Sequence, residues 1–240
     1  GRKNIMIKVP GTPQAPEAIR TLISEGISVN VTLLFSVEQY EHIALAYMDG
    51  LRDRLRLGLD LKSVSSVASV FISRIDTKID NILDVFINRE AEVEARDKIA
   101  VLKGKMAIAN AKFIYRRFKE LFDDRIFGDL KAWGARVQRP LWASTSSKNP
   151  IYSDCIYVDN LIGPMTVNTM PHQTVLAFLD HGHIALTLES DLERAEAYAL
   201  QLGELGVNLT TICEEAQKEG VLAFGRSVDA LMDSLKAKVN

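Results

Sequence analysis

Short apolar, strand-like segments alternate along this chain with longer segments that carry helix signals. Five segments read as strands, at about 4–9, 28–34, 64–73, 139–144 and 164–170. Strands that are separated by helices favour a parallel sheet, because each helical crossover carries the chain back to the starting edge of the sheet. The sequence therefore predicts an α/β fold around a parallel sheet.

Helix signals between the strands support this prediction. Pro16 stands where the first turn of a helix tolerates proline, and Gly26 follows as a terminator. Ser36 and Gln39 have the spacing of a capping box, which predicts that a second helix begins there. Additional helices are expected between about 91 and 134.

Composition sets the class of protein but indicates no chemistry. The chain has 240 residues, of which 47% are hydrophobic and 25% charged, with a formal net charge of −2. This is the profile of an ordinary globular chain, and no excess of charge favours a nucleic acid or a membrane as partner. No apolar run is long enough to span a bilayer and no signal peptide is visible, so we expect a cytoplasmic protein.

No metal or nucleotide motif stands out. His181 and His183 form an H-x-H pair, but no carboxylate joins them at a usual ligand spacing, so we interpret both as loop histidines. Cys155 and Cys213 also lack ligand spacing and are expected to be buried free thiols. No glycine-rich nucleotide loop follows a strand. The sequence predicts neither a metal site nor a cofactor.

A lysine lies inside the first apolar strand. Lysine is almost never fully buried unless it is paired or used chemically. Desolvation lowers the pKa of an amine, and a neutral amine can attack a carbonyl to form a Schiff base. Lys8 is therefore the candidate nucleophile. The alternative is an edge-strand lysine whose ammonium group reaches solvent.

Polar side chains mark the next two strands. Asn30 and Thr32 share one face of the second strand, because side chains alternate between the faces of a sheet. The residues that share one face of the third predicted strand are Ser69, Phe71 and Ser73. Arg74 ends that strand and is suited to bind phosphate with two parallel hydrogen bonds. A polar site near the carboxyl ends of these strands is expected.

Together these segments resemble the transaldolase family, and its bacterial branch most closely. The resemblance is carried by the run Ile7-Lys8-Val9-Pro10-Gly11-Thr12, by residues 30–36 and 64–74, and by the tract at 136–145. It extends over essentially the whole chain. The family fold is an eight-stranded β/α barrel with the Schiff-base lysine on the fourth strand. The resemblance implies that residues 1–240 form one domain, the C-terminal part of such a barrel without its first three strands.

The resemblance also implies a reaction. Lys8 would form a Schiff base with a ketose phosphate and transfer a dihydroxyacetone unit to an aldose phosphate. In the pentose phosphate pathway, sedoheptulose 7-phosphate and glyceraldehyde 3-phosphate would give erythrose 4-phosphate and fructose 6-phosphate. No cofactor is needed. Two alternatives stay open: a lysine-dependent sugar-phosphate aldolase, and an inactive fragment that only binds sugar phosphates.

Site roles follow from the matched positions. Asn30 would bind the three-carbon unit, and Thr32 would hold the catalytic water. Ser69 would contact substrate hydroxyls, while Phe71 would limit access of water to the imine. The residues expected to bind phosphate are Arg74, Ser144 and Lys148. For Lys148 the alternative is a solvated loop cation.

The same resemblance bears on partners. In the family, an aspartate on the first strand and a glutamate on the third strand transfer protons during the reaction, and this chain would lack both. Without these proton-transfer groups, the imine could still form while turnover became too slow to be useful. An incomplete barrel has two open sheet edges with unpaired backbone groups. We therefore expect sugar phosphates as ligands, and either self-association or binding of the N-terminal segment of the same protein.

Overall fold

The computed structural model describes residues 4–239 and contains one parallel sheet of five strands in the order β1-β2-β3-β4-β5. The strands are β1 (Ile7–Pro10), β2 (Val29–Leu34), β3 (Ser66–Phe71), β4 (Arg139–Ala143) and β5 (Val167–Asn168). All four pairings between neighbouring strands are parallel, and spatial order follows chain order. The predicted α/β fold with a parallel sheet is confirmed.

Helices connect the strands and extend beyond the last one. Those up to β4 are α1 (Ala15–Ser24), α2 (Val37–Arg56), α3 (Ser73–Arg89), α4 (Val93–Ala100), α5 (Met106–Leu121) and α6 (Asp124–Ala132). The remaining helices are α7 (Ile156–Asn160), α8 (His172–His181), α9 (Leu192–Glu204) and α10 (Leu209–Val239). Helices α4 to α6 fill the interval in which additional helices were expected. None of the helices within the described residues has the length and apolar character needed to cross a membrane.

The local helix signals are also confirmed. Pro16 lies in the first turn of α1, and Gly26 follows that helix with φ of 87°, a left-handed value that favours glycine. The capping box of α2 is complete: the backbone N–H of Gln39 donates to the Ser36 hydroxyl, and the Gln39 side chain accepts from the Ser36 backbone N–H. These residues fix the turns that follow β1 and β2.

The ends of three strands differ from the prediction. Strand β3 ends at Phe71, because Ile72 has helical backbone angles (φ −94°, ψ −72°) and acts as the N-cap of α3. Ser73 and Arg74 therefore lie in the first turn of α3 and not on the strand. Strand β5 is only two residues long, and Met165 shortly before it has a left-handed φ of 58°. Strand β1 begins at Ile7 and not near residue 4.

The two faces of the sheet have different surroundings. One face packs against the helices and supplies buried strand residues to the main core, namely Val29, Val31, Ala68, Val70 and Trp142. The opposite face carries a small separate cluster of Val67, Leu141 and Ala143, with Phe71 and Val167 against it. The register of the parallel strands places Lys8 and Asn30 on this second face, in line with Val67. The second face therefore holds the candidate site.

Candidate functional site

The register of β1 and β2 brings two of the predicted catalytic residues together. Lys8 is the direct partner of Asn30, and Pro10 is the partner of Thr32. Directly paired residues of neighbouring parallel strands project from the same face, about 4.8 Å apart in backbone spacing. Lys8 and Asn30 are therefore neighbours on one face of the sheet, each at the second residue of its strand.

A hydrogen bond links the carboxamide to the third strand. The Ser69 hydroxyl donates to Asn30 Oδ1 at 2.7 Å. Ser69 is buried, so this contact is shielded from competing water. Because Oδ1 accepts this bond, the Nδ2 group of Asn30 is the part of the carboxamide that can donate to a ligand on Lys8.

Thr32 provides a buried hydroxyl on β2. Its side chain is 1% exposed, and Oγ1 has no hydrogen-bond partner among the described residues. Leaving a buried hydroxyl unsatisfied costs about 1–3 kcal/mol. Such a group suits a water molecule or a substrate hydroxyl as partner, which agrees with the water-holding role predicted for Thr32.

The backbone turns sharply after Thr32. Leu33 has φ of 61°, a left-handed value that costs a non-glycine residue on the order of 1–3 kcal/mol, and the β2–β3 register shifts between Val31 and Leu34. The carbonyl of Leu33 accepts a hydrogen bond from Gln217 Nε2 of α10 at 3.0 Å, and the same amide donates to the carbonyl of Gly11 at 2.9 Å. Helix α10 thus joins the turn after β1 to the last part of β2. Sequence analysis missed Gln217, since no local pattern separates it from other polar residues of an amphipathic helix.

Phe71 and Arg74 stand together at the end of β3. The guanidinium carbon of Arg74 lies 5.4 Å from the centroid of the Phe71 ring, within the range of a cation–π contact. Phe71 also packs against Phe35, with ring centroids 5.6 Å apart. Although Arg74 lies on α3 and not on the strand, this stacking keeps it beside the strand end.

Ser144 reaches the same region from β4. It has φ of 57°, and its hydroxyl lies 2.9 Å from the hydroxyl of Ser73. Its carbonyl accepts a hydrogen bond from the Ser73 backbone N–H at 3.1 Å. Two of the predicted phosphate residues, Arg74 and Ser144, are therefore joined through Ser73 at the beginning of α3.

Lys148 has different surroundings. It is exposed, and its ammonium group donates to the Ser146 hydroxyl at 2.7 Å. It lines a cleft together with the carboxylates Asp76, Asp80 and Asp84. The recorded hydrogen bond of Lys148 is thus within its own loop, and its role in phosphate binding stays a prediction.

Two buried carboxylates of α3 fasten the loop that carries Lys148. Asp76 accepts hydrogen bonds from the Tyr157 hydroxyl at 3.0 Å and from the backbone N–H of Ala107 at 2.7 Å. Asp80 accepts from the Tyr152 hydroxyl at 2.6 Å. The pKa of Asp76 is raised to about 7. Burial is the largest cause and the charge of Asp80 acts in the same direction, while the two hydrogen bonds oppose the increase. Sequence analysis missed this network, because its members are far apart along the chain.

The expected desolvation of Lys8 is not seen in the described structure. Lys8 is exposed, and so are its neighbours Ile5, Met6 and Ile7. The physical reason is that β1 lies at an edge of the described sheet and pairs only with β2, so it is covered from one side. This is the edge-strand arrangement that the sequence left open. The catalytic role of Lys8 stays a prediction that rests on its neighbours.

Comparison with known proteins decides the family. The family model described as "Transaldolase/Fructose-6-phosphate aldolase" matches residues 1–235. This chain belongs to that family. The predicted membership is confirmed, and the five-stranded parallel sheet agrees with part of the family's TIM barrel.

Curated transaldolases match over the full chain. A transaldolase of Trichodesmium erythraeum is 44% identical over 100% of this chain and 63% of its own length. Transaldolase 2 of a Nostoc species is 45% identical over 100% of this chain and 64% of its own length. A transaldolase of Mycobacterium tuberculosis is 42% identical, with 62% of its own length covered. The chain thus spans somewhat less than two thirds of these transaldolases.

Proposed function

We propose that this chain carries the Schiff-base chemistry of a transaldolase, and that the protein transfers a dihydroxyacetone unit from a ketose phosphate to an aldose phosphate. The observation that carries the proposal is that Lys8 is the strand partner of Asn30, whose carboxamide is hydrogen-bonded to Ser69, on one face of the sheet. An amine beside an oriented carboxamide can bind a carbonyl compound covalently and hold its hydroxyl groups in place.

The reaction begins with attack of the neutral amine of Lys8 on the ketone carbon of the donor. Loss of water gives a protonated imine. This imine accepts the electron pair of the C3–C4 bond as that bond breaks and the proton of the C4 hydroxyl passes to water. The aldose product leaves, and the three-carbon unit stays on Lys8 as a stabilised carbanion. That carbanion adds to the aldehyde of the acceptor, and hydrolysis of the new imine releases the product ketose.

The neighbouring side chains have separate tasks in this proposal. Asn30 donates from Nδ2 to a hydroxyl of the three-carbon unit, and Ser69 positions Asn30 through the hydrogen bond at 2.7 Å. Thr32 binds the water of imine formation and hydrolysis through its buried hydroxyl. Phe71 packs beside this region and limits the access of other water molecules.

Phosphate binding is assigned to the beginning of α3. Arg74 supplies a charged fork, Ser144 and Ser73 supply hydroxyl donors, and the N-terminal end of the helix favours an anion. Lys148 is an accessory cation in this proposal, since it is hydrogen-bonded to Ser146 and lines a cleft with three aspartates. The ligands are therefore sugar phosphates, and the assignment involves no metal or cofactor.

A second candidate function is aldol cleavage without transfer. The matching family model covers fructose-6-phosphate aldolases as well as transaldolases, and both activities use the same imine. Transfer is preferred because the curated relatives at 42–45% identity are named transaldolases.

We also propose a cytoplasmic location, which the two buried free thiols support because thiols persist in reducing compartments.

A labelled-donor assay tests the proposal and separates the two functions. The protein is incubated with fructose 6-phosphate labelled in its first three carbons, with and without erythrose 4-phosphate. Transfer predicts labelled sedoheptulose 7-phosphate that depends on the acceptor and disappears in Lys8→Met. Release of free labelled dihydroxyacetone at the same rate with and without acceptor would instead establish the aldolase. Binding of sugar phosphate without either product would leave only the binding function.

A further inference from the structure

Three side chains with metal-binding atoms meet far from Lys8 in the sequence. Asp154 and Cys155 precede α7, and His181 ends α8; one ligand atom of each lies within 4.8 Å of the other two. His181 Nε2 is 2.8 Å from Asp154 Oδ1 and 3.9 Å from Cys155 Sγ. His181, interpreted from the sequence as a loop histidine, is instead the last residue of α8, and a carboxylate lies beside it. The carboxylate comes from another segment, which the sequence spacing does not show.

The distances suit a small tetrahedral ion. With Zn–N near 2.0–2.1 Å and Zn–S near 2.3 Å, two ligand atoms at the tetrahedral angle are roughly 3.6 Å apart. The observed separation of 3.9 Å between His181 Nε2 and Cys155 Sγ needs a change of only a few tenths of an ångström. Asp154 Oδ1 is at hydrogen-bond distance from the same nitrogen and would move slightly outward as the ion enters.

The histidine ring is held in the orientation that a metal ligand needs. Its Nδ1 lies 3.0 Å from Asp180 Oδ2, which leaves Nε2 directed towards Asp154 and Cys155. A carboxylate on the far nitrogen is the usual second partner of zinc-binding histidines. The side chains of His181 and Asp154 are 50% and 62% exposed, so an ion can enter from solvent and retain a water.

Charge around the cluster favours a dication. The carboxylates of Asp154 and Asp180 both lie beside the His181 ring, and Asp159 accepts a hydrogen bond from the backbone N–H of His183 at 3.0 Å. A divalent ion would offset the negative charge of Asp154, Asp159 and Asp180 and stabilise the cysteine thiolate, whose proton passes to solvent.

We propose that Asp154, Cys155 and His181 form a binding site for one divalent ion of the zinc class. A thiolate, an imidazole and a carboxylate provide three ligands, and water provides the fourth. The mixed ligand set excludes Mg²⁺ and Ca²⁺, which prefer oxygen ligands alone. Such an ion joins the loop after β4 to the end of α8, a role separate from the imine chemistry at Lys8.

Metal titration of the whole chain tests this site. We expect one equivalent of Zn²⁺ to bind in calorimetry near neutral pH, and Co²⁺ to give a thiolate-to-metal absorption band in the near ultraviolet together with tetrahedral visible bands. Cys155→Ser and His181→Gln should each weaken Zn²⁺ binding by about tenfold or more. Cys155→Ser should also remove the charge-transfer band.

Matched controls make the result specific. Cys213→Ser changes the other buried thiol, which bonds the carbonyl of Phe35, and His183→Gln changes the neighbouring histidine; both should retain wild-type Zn²⁺ affinity. Circular dichroism shows whether Cys155→Ser folds. If it does not, Zn²⁺ binding by Asp154→Asn, which changes an exposed residue, tests the site instead. The proposal is overturned if no saturable Zn²⁺ binding tighter than about 0.1 mM is found. It is equally overturned if Asp154→Asn and His181→Gln bind as the wild type does.

Discussion

The Ser69 hydroxyl donates a hydrogen bond of 2.7 Å to Oδ1 of Asn30, the residue paired with Lys8 across β1 and β2. A serine on the third strand therefore orients a carboxamide that lies beside the candidate nucleophile on the first. This relationship suits Ser69 to a positioning role that was not expected, because the family resemblance assigned it to contact with substrate hydroxyls.

Replacing Ser69 should impair transfer more than stability. A neutral hydrogen bond contributes about 0.5–1.5 kcal/mol, so Ser69→Ala should lower kcat/KM by roughly two- to tenfold. Steady-state kinetics with fructose 6-phosphate and erythrose 4-phosphate measures this. Ser227→Ala is the matched control, since its hydroxyl is exposed on α10 and bonds only the local Ala223 carbonyl in the described structure. Equal kinetics for Ser69→Ala and wild type would remove Ser69 from the site.

Arg74 should distinguish phosphorylated from unphosphorylated sugars. A lost charge-assisted phosphate contact is worth about 1.5–3 kcal/mol, so Arg74→Ala should raise KM for sugar phosphates by roughly 10- to 150-fold. The KM for unphosphorylated acceptors should change much less. Arg89→Ala, at the other end of α3, is the control and should leave both values unchanged. Similar losses on both classes of acceptor would exclude Arg74 from phosphate binding.

Asp76 should make the protein less stable as pH rises. Its pKa is about 7 in the folded protein and about 3.9 in an unfolded chain, so the folded state holds a proton that the unfolded state releases. The stabilisation is complete below pH 4 and is lost as the pH rises to about 7. Urea unfolding at a series of pH values should therefore show that Asp76→Asn removes this decline.

The control for Asp76 is Asp229→Asn, an exposed residue of α10. Its free energy of unfolding should follow the wild-type curve at every pH. If the difference between wild type and Asp76→Asn is constant between about pH 4 and 7, Asp76 is not the proton-binding group.

Exposed apolar side chains predict self-association of the 240-residue chain. Strand β1 is an edge of the described sheet with Ile5, Met6 and Ile7 exposed, and α10 exposes Leu231 and Leu235 among others. Light scattering over a micromolar range should give a mass above that of one chain. Leu231→Lys together with Leu235→Lys should lower that mass. A single monomeric mass at all concentrations would refute this expectation.

Sequence patterns predicted the sheet because its signals are local. The alternation of strands and helices, the Ser36–Gln39 capping box and the shared face of Asn30 and Thr32 all follow from spacing along the chain. The end of β3 was placed two residues too late, because Ile72 is apolar and β-branched yet has helical backbone angles. Side-chain propensity cannot reveal that change of direction.

Contacts between residues that are far apart along the chain could not be predicted from the sequence. The approach of His181 to Asp154 spans 27 residues, and that of Tyr157 to Asp76 spans 81. Such contacts depend on how helices pack, which no spacing rule encodes. The sequence likewise left two environments open for Lys8, because its exposure depends on which strands flank β1.

Trapping of the imine tests the central claim most directly. The protein is incubated with fructose 6-phosphate and borohydride, digested, and analysed by mass spectrometry, with Lys8→Met and Lys148→Ala treated in parallel. We predict a reduced three-carbon adduct on Lys8 that is lost in Lys8→Met and retained in Lys148→Ala. An adduct on another lysine, or one that persists in Lys8→Met, would contradict the assignment of Lys8 as the Schiff-base nucleophile.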